Sequence, residues 1–62
     1  MKLVIQMVDG SEKVFGGLGK HLWWGFYIEG DGLVITQESM DAVVRVAALP
    51  PGSWLECNKI LS

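Results

Sequence analysis

Hydrophobic and polar residues alternate along most of this chain, which is the pattern of half-buried β-strands. In KLVIQMV, near the amino end, Leu3, Ile5 and Met7 share one face of an extended strand. The runs SEKVF, LWWGFYIE, LVITQ and WLECNKIL have the same short, apolar character. The pattern therefore predicts a mainly β protein.

Two Asp-Gly pairs, Asp9-Gly10 and Asp31-Gly32, separate these runs. Asp-Gly readily adopts the positive backbone angles of tight hairpin turns. We therefore predict that KLVIQMV pairs with SEKVF across the first turn, and that LWWGFYIE pairs with LVITQ across the second. The glycine-rich run GGLGK, residues 16–20, is predicted to be a flexible connection or a bulge.

The segment HLWWGFYI, residues 21–28, holds four of the aromatic residues, of which the chain has three Trp, two Phe and one Tyr. If it is extended, successive side chains point to opposite faces. The face predicted to be core carries Leu22, Trp24, Phe26 and Ile28. The other face carries His21, Trp23, Gly25 and Tyr27. Core packing does not explain this second face.

The segment TQESMDAVVRVAALPPG supports two interpretations. As a helix over about 37–48, it has an apolar stripe, an i,i+4 pair of Asp41 and Arg45, and a stop before Pro50. As a strand, AVVRVAAL is β-branched in its first half and is followed by a turn at PPGS. Periodicity does not separate the two for so short a run.

The final third, VVRVAALPPGSWLECNKI, joins a β-branched run to an alternating strand through Pro-Gly-x-Trp. It resembles the carboxy-terminal half of small phage-encoded β-proteins, which also open with a strand, a DG turn and a second strand, as KLVIQMVDGSEKVF does here. The resemblance implies a small curved antiparallel sheet or an SH3/Sm-like barrel of about five strands. It favours the strand interpretation, and an α+β fold with one helix at about 37–48 is the alternative.

The length of 62 residues predicts one domain, residues 1–62, with a small core. A core of this size rarely supplies more than about 3–5 kcal/mol of stability without a disulfide, a metal or a partner subunit. Cys57 is the single cysteine, so it forms no disulfide within the chain, and with His21 alone it is too little for a four-ligand zinc site. Because half of the residues are hydrophobic, we predict a homo-oligomer.

The charge pattern argues against two classes of partner. The net charge is −2 and the five basic residues are scattered, whereas nucleic-acid binding depends on a basic patch. The uncharged runs are shorter than the roughly 18 residues of a membrane-spanning helix. A lone cysteine and the lack of an export signal predict a cytoplasmic protein.

Catalytic motifs are incomplete. The run VFGGLGKH has Val14 where a phosphate-binding P-loop has its first glycine, and His21 where it has Ser or Thr. A nucleophilic pair of His21 and Cys57 is disfavoured because Cys57 lies in the middle of a predicted strand, where it reads as a small buried hydrophobe. We therefore predict no enzyme activity, no cofactor and no metal.

The unexplained aromatic face supports two hypotheses. Trp23 and Tyr27 flank Gly25 at a separation of about 13 Å, which leaves a notch lined by aromatic rings that stack well on nucleobases. The backbone amides of GGLG could hold a phosphate. The predicted ligand-binding residues are Trp23, Tyr27, Gly25, His21 and Gly17.

The first hypothesis is a non-catalytic homo-oligomer that captures a small aromatic or nucleotide-like ligand. It is similar, in size and aromatic content, to phage anti-defence proteins that sequester the nucleotide signals of bacterial immunity. The second is an interaction or structural subunit whose aromatic face closes a subunit interface or binds a host or virion protein, without a ligand.

Overall fold

Six β-strands lie in the part of the chain that the structure describes. The computed structural model describes residues 2–17, 19 and 21–60. The strands are β1 (Lys2–Met7), β2 (Glu12–Phe15), β3 (Trp23–Glu29), β4 (Gly32–Glu38), β5 (Val43–Leu49) and β6 (Trp54–Ile60). The predicted mainly β fold is confirmed, with six strands in place of about five. The helix considered over 37–48 does not form, because this part of the chain supplies β5.

The strands form two antiparallel three-stranded sheets. Sheet A has the order β2-β1-β6, and sheet B has the order β3-β4-β5. Both predicted hairpins are confirmed, since β1 pairs with β2 and β3 pairs with β4. No helix long and apolar enough to cross a membrane occurs in the described part of the chain.

The two hairpin turns differ in where glycine is needed. In the first, Gly10 has a φ of 90°, and its N–H donates to the Met7 carbonyl at 3.1 Å. The Ser11 hydroxyl and backbone N–H both donate to the Asp9 carboxylate and lower its pKa. In the second, Gly30 and Asp31 have φ values of 54° and 67°, which is the signature of a type I′ turn. This turn therefore lies one residue earlier than Asp31-Gly32, and Gly32 begins β4.

The core lies between the central strands of the two sheets. Leu3 and Ile5 of β1 and Leu33 and Ile35 of β4 are fully buried. Trp24 of β3 joins them at 7% exposure, with its ring 5.3 Å from the Phe15 ring. The backbone extents of 33 × 25 × 13 Å fit two sheets stacked about 10 Å apart.

The predicted core face of β3 is only partly buried. Trp24 belongs to the core, but Leu22, Phe26 and Ile28 are 37%, 39% and 58% exposed. Strand β3 is an edge strand, and β2, whose Phe15 contacts Trp24 from sheet A, has four residues against seven in β3. The prediction was wrong for these three residues because alternation identifies the face of a strand but not how far the opposite sheet extends over it.

Candidate functional site

The outer face of sheet B, which points away from sheet A, carries the predicted aromatic site. Trp23, Gly25 and Tyr27 lie on this face of β3, opposite Glu38, Thr36 and Val34 of β4. Trp23 is half-buried and Tyr27 is exposed. The structure therefore brings three of the five predicted ligand-binding residues together.

The space above Gly25 is occupied, so the predicted notch is absent. The Glu38 carboxylate lies over Gly25 and accepts a hydrogen bond from Thr36 Oγ1 at 3.0 Å. A Cβ on residue 25 would collide with Glu38 Oε2 and would lie 2.6 Å from Thr36 Oγ1. A larger residue at this position would displace the Glu38 carboxylate and press on the Thr36 hydroxyl. The carboxylate between the two rings also opposes the approach of a phosphate group.

Tyr27 takes part in a polar cluster at the other end of this face. Arg45 Nε donates to Tyr27 Oη at 3.1 Å, and Arg45 Nη2 donates to Glu29 Oε2 at 3.1 Å. The guanidinium carbon lies 6.0 Å from the centre of the Tyr27 ring. The ion pair is well exposed, and such pairs contribute about 0–1 kcal/mol.

Sequence reasoning missed Glu29 and assigned Arg45 a different partner. The helix interpretation pairs Arg45 with Asp41. In the structure, Arg45 lies opposite Thr36, because β4 and β5 shift register between Ile35 and Thr36. The predicted pairing of β3 with β4 could have placed Glu29 beside Gly32, but the register shift that aligns Arg45 leaves no local sequence signal.

A shallow depression of about 400 Å³ adjoins this polar cluster. The residues that line it include Gly32, Val34, Ala48, Arg45 and Pro51. A Cβ on residue 32 would lie 3.0 Å from the Leu49 carbonyl oxygen, so glycine permits the close approach of β5 here. The predicted ligand-binding residues do not line this depression.

His21 and Gly17 lie outside β3, in the connection between β2 and β3. Both have positive φ values, 65° and 77°, and both are exposed. The φ of His21 breaks the extended conformation that the alternation assumed, and β3 begins only at Trp23. Of the run GGLGK, Leu18 and Lys20 lie outside the described residues, so its predicted phosphate contact stays a prediction.

Cys57 packs against the core from β6, opposite Ile5. Burial raises the pKa of its thiol, and Lys59 opposes this weakly. A thiol with a raised pKa is a poor nucleophile at neutral pH. Among the described residues, His, Cys, Asp and Glu side chains form no group of three that could hold a metal ion.

Comparison with known proteins adds no relative. No family model, curated protein or solved structure matches the chain. The resemblance to phage-encoded β-proteins therefore stays a prediction. The functional inference depends on the surface of the molecule, above all on its exposed apolar residues and its sheet edges.

Proposed function

We propose that this chain is a non-catalytic interaction protein that associates with polypeptides, including copies of itself, through exposed apolar β surface. One observation carries the proposal. In the described part of the chain, twelve large hydrophobic residues are exposed, whereas seven hydrophobic residues are buried. Single exposed hydrophobes are ordinary, but an excess over the core indicates surface that a partner covers.

This apolar surface is concentrated at the two edges of sheet B. Six of the twelve exposed residues belong to its edge strands: Phe26, Tyr27 and Ile28 on β3, and Val43, Val44 and Val46 on β5. Aromatic residues are enriched in protein interfaces. A flat apolar edge also offers unpaired backbone groups to an added strand.

Stability supports the same proposal. The core rests on five side chains that pack together, Leu3, Ile5, Trp24, Leu33 and Ile35. A domain of this size has only about 3–5 kcal/mol of stability in reserve. Association stabilises the folded chain by mass action, because a partner binds the folded state and not the unfolded one.

The test is the mass of the protein in solution. Light scattering during size-exclusion chromatography, with protein from low to high micromolar concentration, should give a mass well above the 6.8 kDa of one chain. The Cys57→Ser variant is the control that removes any intermolecular disulfide. A mass of one chain at every concentration, together with no retention of the protein on a column of its own immobilised copies, would overturn self-association.

Capture of a small ligand is the second candidate function, and the depression beside Arg45 is the observation that favours it. Its proline and small-residue lining could accept a planar aromatic group, and Arg45 is one of the lining residues. Thermal shift with nucleotides and small aromatic compounds tests this candidate. A ligand that raises the melting temperature of the wild type but not of Arg45→Ala would support it.

A further inference from the structure

Four strands form the edges of the two sheets, and three of them have features that oppose pairing with another chain. Strand β2 has four residues and carries Glu12 and Lys13. Strand β6 shifts its register against β1 between Gln6 and Met7, and strand β5 shifts against β4 next to Arg45. Short strands, charges and bulges are the devices by which proteins protect sheet edges.

Strand β3 lacks all of these features. It has seven residues, contains no proline, and pairs with β4 in continuous register from Trp23 to Glu29. It carries no charge before Glu29. Its second half is exposed on both faces, at Phe26, Tyr27 and Ile28. Long, regular and apolar edges of this kind pair readily with another strand.

We propose that β3 pairs with β3 of a second copy of this chain, antiparallel, about a two-fold axis at Phe26. This inference rests on the proposed function. It identifies the partner as a second copy of the chain and the contact surface as the edge of β3. The pairing joins two B sheets into one six-stranded sheet. A two-fold contact uses the same surface of both subunits, so a single strand that is suited to pairing is sufficient.

The side chains select this register. A two-fold axis at Phe26 places Tyr27 opposite Gly25 of the partner subunit and Ile28 opposite Trp24 of the partner subunit. The Glu38 carboxylate lies over Gly25, and a neutral tyrosine beside it avoids the repulsion that an anionic side chain would meet there. The two Glu29 carboxylates lie at opposite ends of the contact, so they do not repel each other.

Neighbouring registers are less favourable. An axis at Tyr27 places Glu29 opposite the partner subunit's Gly25, where the structure has the Glu38 carboxylate, and like charges would meet. An axis at Gly25 leaves Ile28, the most exposed hydrophobic residue of β3, beyond the end of the paired strand. The two-fold axis must pass through a residue and not between two residues, because residues that lie opposite each other in an antiparallel pair point to the same face of the sheet.

Disulfide trapping tests the register directly. In the Cys57→Ser background, Phe26→Cys places two thiols at the axis, where opposed Cα atoms lie about 4.5–5.5 Å apart, within the range that a disulfide spans. With oxidised glutathione, we expect most of the protein to become a covalent dimer. Val44→Cys in the same background is the matched control on the β5 edge, and it should stay mostly uncross-linked.

Charge insertion tests the edge itself. Ile28→Lys and Val44→Lys introduce the same charge at β-branched residues of the two B-sheet edges, which are 58% and 53% exposed. We expect Ile28→Lys to reduce the mass by light scattering to one chain and Val44→Lys to keep the wild-type mass. Circular dichroism checks that both variants are folded. If Ile28→Lys is unfolded, the disulfide trapping of Phe26→Cys is the test of the contact.

The outcomes separate the two proposals. A wild type larger than one chain, with no Phe26→Cys cross-link, would overturn the β3 contact and leave self-association standing. Equal loss of mass in Ile28→Lys and Val44→Lys would also overturn it. If the wild type has the mass of one chain and the Phe26→Cys variant forms no cross-link, both the β3 contact and self-association are overturned.

Discussion

The two halves of β3 are equally apolar and yet have different surroundings. In the first half, Trp24 packs against Phe15 from sheet A, and Gly25 lies beneath the Glu38 carboxylate. In the second half, Phe26, Tyr27 and Ile28 are all exposed. The difference shows that hydrophobicity determines that a strand forms, whereas the extent of the opposing sheet determines which of its residues are buried.

This contrast also explains the concentration of aromatic residues in HLWWGFYI. Trp24 serves the core of a single chain, in which a small domain has few other large side chains available. Phe26, Tyr27 and Ile28 are not used in that core. On our proposal they serve the contact between two chains, so one strand supplies both folding and assembly.

The largest predicted effect distinguishes the buried half from the exposed half. Trp24→Ala removes a buried indole and leaves a cavity, at a cost of about 3–5 kcal/mol, which is the whole reserve of a domain this small. Ile28→Ala should cost about 1 kcal/mol or less, because its side chain is mostly exposed. Chemical denaturation followed by circular dichroism, at one dilute protein concentration, measures both.

We expect Trp24→Ala to be unfolded in water and Ile28→Ala to be folded. The Trp24 Nε1 atom is buried without a hydrogen-bond partner among the described residues, so this substitution removes packing and not a hydrogen bond. Equal losses for the two variants would contradict the contrast between the halves of β3.

The part of the fold that could be predicted is the part that depends on neighbouring residues. Alternation and Asp-Gly turns act over a few residues, and they identified both hairpins. The exact turn residues, Gly30 and Asp31, were missed by one position, because Gly-Asp and Asp-Gly both tolerate positive φ.

The candidate site was predicted less well because it depends on distant residues. The shared face of Trp23, Gly25 and Tyr27 follows from alternation alone. That Glu38 would lie over Gly25 requires the register between β3 and β4 and the rotamer of a long side chain. The neighbours of Tyr27 depend further on the register shift that aligns Arg45. None of these leaves a local signal in the sequence.

A second prediction concerns the glycine where the two halves meet. Gly25→Val should destabilise the fold by about 1–3 kcal/mol, because a branched side chain overlaps Glu38 and Thr36. Glu38→Ala in the same chain should restore part of this loss, because it removes the carboxylate and leaves only the Thr36 overlap. Thermal and chemical denaturation of the single and double variants measure the coupling.

Gly19→Ala is the matched control for this prediction. No heavy atom of the described residues lies within 4 Å of the added Cβ. It should be neutral or slightly stabilising, by up to about 1 kcal/mol, because alanine lowers the entropy of the unfolded chain. If Gly25→Val were as mild as Gly19→Ala, the space above Gly25 would be an open notch after all.

The smallest predicted effect lies in the exposed half. Tyr27→Phe keeps the ring and removes the hydroxyl that accepts a hydrogen bond from Arg45. The Arg45–Glu29 ion pair is exposed, so both the bond and the pair are screened by water, and we expect a loss of at most about 0.5–1 kcal/mol. Glu29→Gln should cause a loss of similar size that shrinks in high salt, whereas the loss from Tyr27→Phe should change less. Denaturation of both variants at low and high salt measures this difference. A loss of unfolding free energy from Tyr27→Phe as large as that from Gly25→Val would mean that the polar cluster at Tyr27 stabilises β3 as much as the packing above Gly25. The division of the strand into a structural half and an associating half would then be wrong.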